Sequence, residues 1–455
     1  MQGRILLLGI GLALAATSAY GQSTPWRVGL AQTKITPTQP LFLAGYASRN
    51  KPMEGVHDDL YAKALVLEDS AGTRGLILTT DLIGFPAEIA TPIRERIARQ
   101  VGIPATSILI NSSHTHTGPA LSLDPTPQEG RGPADAERTV AYTRQVMDQL
   151  VALAEQAARQ LAPAKLSWGV GVVHFVMNRR QFTPDRGVIL GVNPRGLADR
   201  SVSVLRIDGE DGKLRAVLFG CACHGTTLGP QDYLVSGDYA GHAQRLLEEQ
   251  YPGTTALFLL GCAGDANPYP RGSYALAEQH GRELAAEVQR VLSQPLAPVG
   301  GPLRIAFGEV TLPLAPPPPR PELEKLAAGR SGIMTWVAQQ MLQRLERGET
   351  LPTGYTTSLA VWQLGGDLTL VALPGEVVVD YVRLLEEALG PNKLWIAAYT
   401  FDVFGYLPSA RVLREGGYET RGLYAGGIGL FAPEAEQALV AKVVELAAAA
   451  GRPRP

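Results

Sequence analysis

The chain has 455 residues, is 45% hydrophobic and carries a formal charge of −2. That length buries a sizeable core, as one large domain or two closely packed ones. No long basic stripe is present, which excludes nucleic acid as a partner, because phosphate binding needs clustered Lys and Arg.

Taken in chain order, Arg4 precedes an apolar run from Ile5 to Ala16, and small residues follow, with Ala19 and Gly21 placed for cleavage before Gln22. This order is that of a secretory signal peptide over residues 1–21, and an uncut membrane anchor shares the same apolar physics. No later segment is long and apolar enough to span a bilayer. The mature chain, 22–455, is therefore expected to be soluble, and either secreted or periplasmic.

Strand-like and helix-like stretches then alternate. Tyr61 to Leu67 and Gly75 to Thr80 read as strands, followed by a helix from Thr91 to Gln100 and a strand from Ser107 to Asn111. Ala136 to Leu161 is a long amphipathic helix pattern. Further strands are expected at Ser201–Ile207, Arg215–Cys221, Ala256–Leu260, Leu368–Leu373 and Leu394–Tyr399. Helices are expected at Ala275–Leu292, Glu376–Leu389 and Glu434–Ala449. The fold class is α/β. Pro313 to Pro321 holds six prolines in nine positions, so it should be extended and exposed, an excursion inside one domain. A polar helix pattern follows to Arg347. The odd number of cysteines, Cys221, Cys223 and Cys262, argues against a disulfide scaffold and for small buried hydrophobes, with soft metal ligands as the weaker alternative.

Only seven histidines are present, so their placement is informative. Two lie in His114-Thr115-His116-Thr117-Gly118-Pro119, after an apolar strand. An extended His-x-His directs both imidazoles to one face, and zinc takes neutral imidazole and carboxylate, so the pair is a candidate half-site; two polar histidines in a turn is the plainer alternative. His224 follows another strand. Cys262-Ala263-Gly264-Asp265-Ala266-Asn267-Pro268 is a turn that could offer backbone N–H groups and the Asn267 amide. Pro374-Gly375-Glu376 opens a helix pattern, so Glu376 is expected in the first helical turn, ionised and favoured by the helix dipole. His242 and His280 fall in helix patterns and are expected to be solvated or satisfied locally, and His174 to be structural. His57 either lines a site or makes a turn.

Together these runs resemble the neutral, non-lysosomal ceramidase family, zinc enzymes that hydrolyse the amide of N-acylsphingosine. The resemblance is carried by Val28-Gly29-Leu30, Ile35-Thr36-Pro37, Leu43-Ala44-Gly45-Tyr46, Gly55-Val56-His57 and Thr80-Asp81-Leu82. It continues through the His114–Pro119 run, His224-Gly225-Thr226, Gly264-Asp265-Ala266-Asn267-Pro268, Pro374-Gly375-Glu376 and a C-terminal tyrosine block. It implies stacked mixed β-sheets flanked by helices, with one Zn²⁺ per chain in a cleft at strand ends. It implies His114, His224, Glu376 and Tyr406 as the metal ligands. It implies His116 facing the substrate amide, Tyr418 lining the site, and Arg179, beside Asn178, near the scissile carbonyl. Asp265 is a candidate to orient a ligand. His116 is a candidate proton shuttle, because an imidazole titrates near neutral pH. The implied substrate is ceramide or a related N-acyl lipid, with peripheral membrane contact.

Two departures follow from the same comparison. The family's turn supplies a serine where this chain has Asn267, whose amide hydrogen-bonds but cannot be a nucleophile. Ceramidases of this kind also carry a C-terminal β-sandwich, and this chain ends where that would begin. Another N-acyl amide as substrate, a non-catalytic binding protein on the same scaffold, and a barrel metallohydrolase are the competing readings.

Overall fold

The structure, a computed structural model, describes residues 26–126, 131–329, 333–421 and 429–453. The expected signal peptide lies outside them. A large sheet contains β1 (Trp26–Lys34), β2 (Tyr61–Glu68), β3 (Arg74–Thr80), β4 (Ile108–Ser112), β5 (Ala162–Val172), β6 (Ser201–Gly209), β7 (Leu214–Gly220), β8 (Thr255–Phe258) and β9 (Ala297–Val299). Its order is β8-β7-β6-β5-β1-β2-β3-β4, with β9 also pairing with β5. A smaller sheet follows the order β10 (Leu303–Pro313), β11 (Gly354–Leu364), β12 (Leu368–Ala372), β13 (Leu394–Ala397).

The two sheets stack face to face. Along β2, Leu65 and Leu67 turn toward the smaller sheet's Trp362 and Leu370, while Ala64 and Val66 face the helices. That alternation is the strand's period of two, here with both faces apolar because both are covered. Outside the large sheet lie α1 (Ala87–Val101), α2 (Pro133–Arg159), α3 (Asp238–Gln250) and α4 (Tyr274–Leu292). Outside the small one lie α7 (Asp380–Leu389) and α9 (Glu434–Ala449); α5 (Arg320–Ala327) and α6 (Ile333–Glu346) lie in the connection from β10 to β11, and α8 (Ala410–Glu415) follows β13. The layers are helix, sheet, sheet, helix, as the resemblance implies.

Within these two sheets most strand pairs are antiparallel, but three are parallel: β3 with β4, β7 with β8 and β12 with β13. Each pair is joined by a helix, α1, α3 and α7, so each is a βαβ unit. Their carboxyl ends meet. The fully buried Asn111 accepts from Leu260 N at 2.9 Å and donates to Ala398 O at 2.6 Å, so one side chain joins the exits of β4, β8 and β13.

Several expectations need correction. Glu376 is not in a helix: Glu376–Val377 pairs in parallel with Tyr406–Leu407, and α7 begins at Asp380. The pairing with the tyrosine segment takes up the Glu376 N–H, which donates to Gly405 O at 2.8 Å, so the helix-dipole argument does not apply. Strands β1, β5 and β10 were not anticipated, and α2 stops at Arg159, where β5 needs the chain. His242 and His280 are buried, each with a local partner, Arg245 Nη2 at 2.9 Å and Pro270 O at 2.6 Å, as the second of the two expectations has it, and His174 is exposed. The three cysteines are free and buried. The proline run leaves β10 with Leu314 bridged to Phe431, which ties it to the C-terminal segment. Among the described residues no helix is long and apolar enough to cross a membrane.

Candidate active site

The exits of the three βαβ units deliver the polar residues to one point. His114 stands two residues past β4 with φ 59°, a left-handed conformation that costs a non-glycine residue on the order of 1–3 kcal/mol and persists only where its surroundings enforce it. The enforcement is local: His114 N donates to Leu82 O and His116 N to Gly225 O, both at 2.9 Å, which locks this loop onto the loops after β3 and β7. His224 comes from the loop after β7, and Glu376 from the exit of β12.

The Nε2 atoms of His114 and His224 lie 3.3 Å and 3.1 Å from the same oxygen, Oε2 of Glu376. Their Nδ1 atoms face backbone carbonyls, Ile83 O at 2.5 Å and Ala263 O at 2.6 Å. A carbonyl only accepts, so each Nδ1 carries a hydrogen, and in the tautomer this selects Nε2 turns a lone pair toward the carboxylate. Two lone pairs facing a carboxylate need a cation between them. Burial, followed by the Arg179 charge, pushes the His224 pKa down to about 3, so this imidazole does not supply it. Burial alone would raise the Glu376 carboxyl, but the His114 and His224 rings beside it outweigh burial and hold it well below the usual range. The donor set therefore fits a divalent metal, with each imidazole held from behind by a carbonyl, as metal-binding histidines commonly are.

Tyr406 stands beside this point, its hydroxyl 3.5 Å from His224 Nε2. His116 is buried with no hydrogen-bond partner for either ring nitrogen among the described residues, and its nitrogen lies within 4.8 Å of those of His114 and His224. Burial first, then the neighbouring histidines, lower its pKa well below the ordinary value. The imidazole is thus neutral at neutral pH, and it can take a proton before it can give one. The expectation of an ordinary, near-neutral titration is corrected by the burial.

Arg179 is buried and held from several sides. It donates to Glu419 Oε1 at 2.9 Å and to the Tyr406 hydroxyl at 2.9 Å, and Nη1 is 3.2 Å from His224 Nε2. Glu419 also takes Arg180 at 2.6 Å. Burial raises the Glu419 pKa, but the two guanidiniums outweigh it and hold the carboxylate ionised. Asn267 accepts from Thr226 Oγ1 at 3.0 Å and faces Arg179 Nη1 at 3.4 Å. Both neighbours are donors, which assigns the Asn267 oxygen and leaves its amide NH₂ for the cleft. Asp265 does not touch a ring. Its oxygens accept from Val379 N at 2.8 Å and Asn178 Nδ2 at 3.1 Å, so it ties the segment after Glu376 to the segment before Arg179.

Above these residues opens a cleft of about 500 Å³. His116, Arg179, Tyr406 and Tyr418 line its floor, and Met177, Leu190 and Val192 form an apolar wall. Tyr46 and Arg271 line it as well, joined at 2.9 Å. Sequence reasoning did not single out Glu419, Asn111 or Tyr399. Tyr399, at φ 54°, packs its ring 4.6 Å from that of His114, and its buried hydroxyl has no hydrogen-bond partner among the described residues. A buried polar run at the exit of β13 is the only signal that could have pointed to it.

The sequence profile of the neutral/alkaline non-lysosomal ceramidases, in their N-terminal part, matches residues 26–274. Among curated proteins the chain is similar to neutral ceramidase of Pseudomonas aeruginosa, 25% identical over 276 residues that cover 58% of this chain and 40% of that one. It is also similar to neutral ceramidase B of Dictyostelium discoideum, 27% identical over 253 residues, 50% of this chain and 33% of that one. The matches thus span less than half the length of these relatives. Among solved structures, a ceramidase complexed with C2 superposes with a TM-score of 0.71 at 21% identity, covering 95% of this chain and 76% of that one. The crystal structure of the Pseudomonas aeruginosa neutral ceramidase gives 0.69 at 20% identity, with the same coverages.

Proposed function

The chain belongs to the neutral/alkaline non-lysosomal ceramidase family, and from that premise we propose that it is a zinc-dependent amide hydrolase acting on ceramide or a related N-acyl lipid. One observation carries the reading: the Glu376 carboxylate faced by two buried imidazoles, with His116 and Tyr406, which line an open cleft, beside them. His114, His224, Glu376 and Tyr406 would hold the ion. When bound, zinc polarises a carbonyl and brings the pKa of a water to about 7.

The remaining work falls to the chain's own groups. Glu419 and Tyr406 fix Arg179 so that its guanidinium edge faces the cleft, and Tyr418 stands beside it. Such preorganised donors stabilise an oxyanion without reorganising as charge develops. The Asn267 NH₂ is a further donor toward the substrate, and it replaces any serine chemistry at that position. His116, neutral at the start, takes a proton from the attacking water and passes it to the leaving nitrogen. Met177, Leu190 and Val192 receive the acyl chain. We also propose that residues 1–21 direct export and that contact with membranes is peripheral.

A second reading, an N-acyl amide with an acidic head group such as an acylated amino acid, is favoured by the cleft lining, which among the described residues holds Arg179 and Arg271 and no carboxylate. A panel of ceramides, acylated amino acids and short N-acyl amides, assayed by mass spectrometry with and without chelator, tests both readings. The expected outcome is chelator-sensitive release of fatty acid, lost in His114→Ala. Purified protein without stoichiometric zinc, or turnover indifferent to chelator, would sink the proposal.

A further inference from the structure

A second group of metal-competent side chains lies away from the cleft. His57, Asp58 and His242 bring their ligand atoms within 4.8 Å of one another. They come from different parts of the fold: His57 and Asp58 precede β2, and His242 is on α3. We propose that they form a second, structural zinc site that braces the loop carrying His114 and His116.

The geometry suits a shared ion. Asp58 Oδ2 is 3.0 Å from His57 Nδ1 and 3.7 Å from His242 Nε2. Ligand atoms around a tetrahedral zinc with bonds of about 2.0 to 2.1 Å stand roughly 3.3 Å apart, and the two distances bracket that value. His242 is fully buried, and its Nε2 has no hydrogen-bond partner among the described residues. An unsatisfied buried imidazole nitrogen aimed at a carboxylate calls for an explanation, and a cation between them is one. The surrounding groups are placed as outer partners would be. Asp58 Oδ1 accepts from Gly237 N at 2.8 Å, which fixes the carboxylate and leaves Oδ2 for the ion. Glu278 Oε1 stands 3.8 Å from His57 Nε2, on the far side of the ring from Asp58, where a carboxylate orients a ligand imidazole. Tyr274 stacks on the His57 ring at 4.4 Å. His57 is the exposed member, so solvent completes the coordination from that side.

One contact opposes loading. Arg245 Nη2 lies 2.9 Å from His242 Nδ1, so that nitrogen accepts in the metal-free state and Nε2 carries the hydrogen. Binding at Nε2 requires this guanidinium to turn away, and its side chain, 47% exposed, is free to reach solvent. The link to the cleft is short. Gly237 N holds Asp58, and the preceding carbonyl, Ser236 O, accepts from Thr115 Oγ1 at 2.8 Å and Thr117 Oγ1 at 3.0 Å. Those threonines flank His116. An ion at Asp58 therefore stiffens the peptide on which the His114–His116 loop rests.

The test is zinc content by mass spectrometry after dialysis, together with thermal unfolding. Wild type is expected to hold two ions per chain, His57→Gln and Asp58→Asn one, and the His114→Ala/His224→Ala protein one. Added zinc should raise the melting temperature of that double variant, and the further change His57→Gln should abolish the rise. Arg245→Met should bind the second ion several-fold more tightly. Retention of the full zinc count in both His57→Gln and Asp58→Asn overturns the proposal. So does a double variant that binds no zinc and melts at the same temperature with and without it. If instead only the cleft fails to load, the zinc-hydrolase reading falls and this site stands.

Discussion

Gly45 has no side chain because His116 occupies its space. A Cβ there would lie 2.3 Å from His116 Nδ1, and the backbone sits at φ +88°, which an L side chain rarely adopts. Gly45→Ala should therefore push the ring out of the cleft floor and lower kcat/KM by at least tenfold, with zinc content unchanged. Steady-state kinetics alongside metal analysis check it, and wild-type kinetics would mean that the ring has room to move. His224 permits a prediction in pH. Its folded pKa, about 3, lies below the ordinary 6.5. A depressed histidine contributes stability that is present above pH 6.5 and is lost as pH falls toward 3. The loss is on the order of 5 kcal/mol at most. In chelator-treated protein the urea midpoint of wild type should thus fall faster below pH 6.5 than that of His224→Gln; parallel slopes would contradict it. At this scale the sequence is partly legible. His114, His224 and Glu376 each stand in a short polar run at a strand exit, which is why they can be singled out. Glu419 and Gly45 cannot, because their importance lies in partners 240 and 71 residues away, Arg179 and His116.

Elements were legible where periodicity was clean and covered on both faces, as in β2, β3, β4 and α4. Those missed carry residues that resemble breakers. β5 contains Pro163, Gly169 and Gly171, and β1 contains Gly29. The glycine in β1 is a packing feature. A Cβ at Gly29 would meet Ala157 O of α2 at 2.0 Å, so the helix lies directly on the strand's backbone. Gly29→Ala should displace α2 and cost about 1 to 3 kcal/mol, the usual range for overpacking. Equilibrium denaturation measures it. Because α2 does not reach the cleft, zinc affinity should stay within twofold of wild type. An equal loss of stability and zinc affinity would show that the helix positions the site after all. The Glu376 element failed differently. A Pro-Gly-Glu run before an apolar helix pattern reads as a helix start, yet parallel pairing with Tyr406–Leu407 takes the backbone first, a tertiary contact that no local pattern announces.

At the scale of the whole molecule, three βαβ units must present their carboxyl ends to one point, and strand order decides that. The sequence shows α/β alternation and strand exits rich in polar residues, but not which strands are neighbours. The convergence is therefore visible only in the fold. Asn111 is the residue on which it turns, because it bonds the exits of β8 and β13 from the end of β4. Asn111→Ala would leave Leu260 N and Ala398 O without these partners in the dry interior. Each unsatisfied buried backbone group costs about 1 to 3 kcal/mol, so a loss of about 3 kcal/mol or more is expected. The same bonds set the distance between the unit that carries His114 and the exits of β8 and β13, from which Asp265 and Tyr406 follow. Zinc affinity should accordingly fall together with stability, by tenfold or more, in contrast to Gly29→Ala. Competition with a chromophoric chelator and urea denaturation on the same preparation provide the comparison. A variant that unfolds more easily yet binds zinc as wild type does would show that the loop-to-loop bonds, such as His116 N to Gly225 O, hold the site without the asparagine.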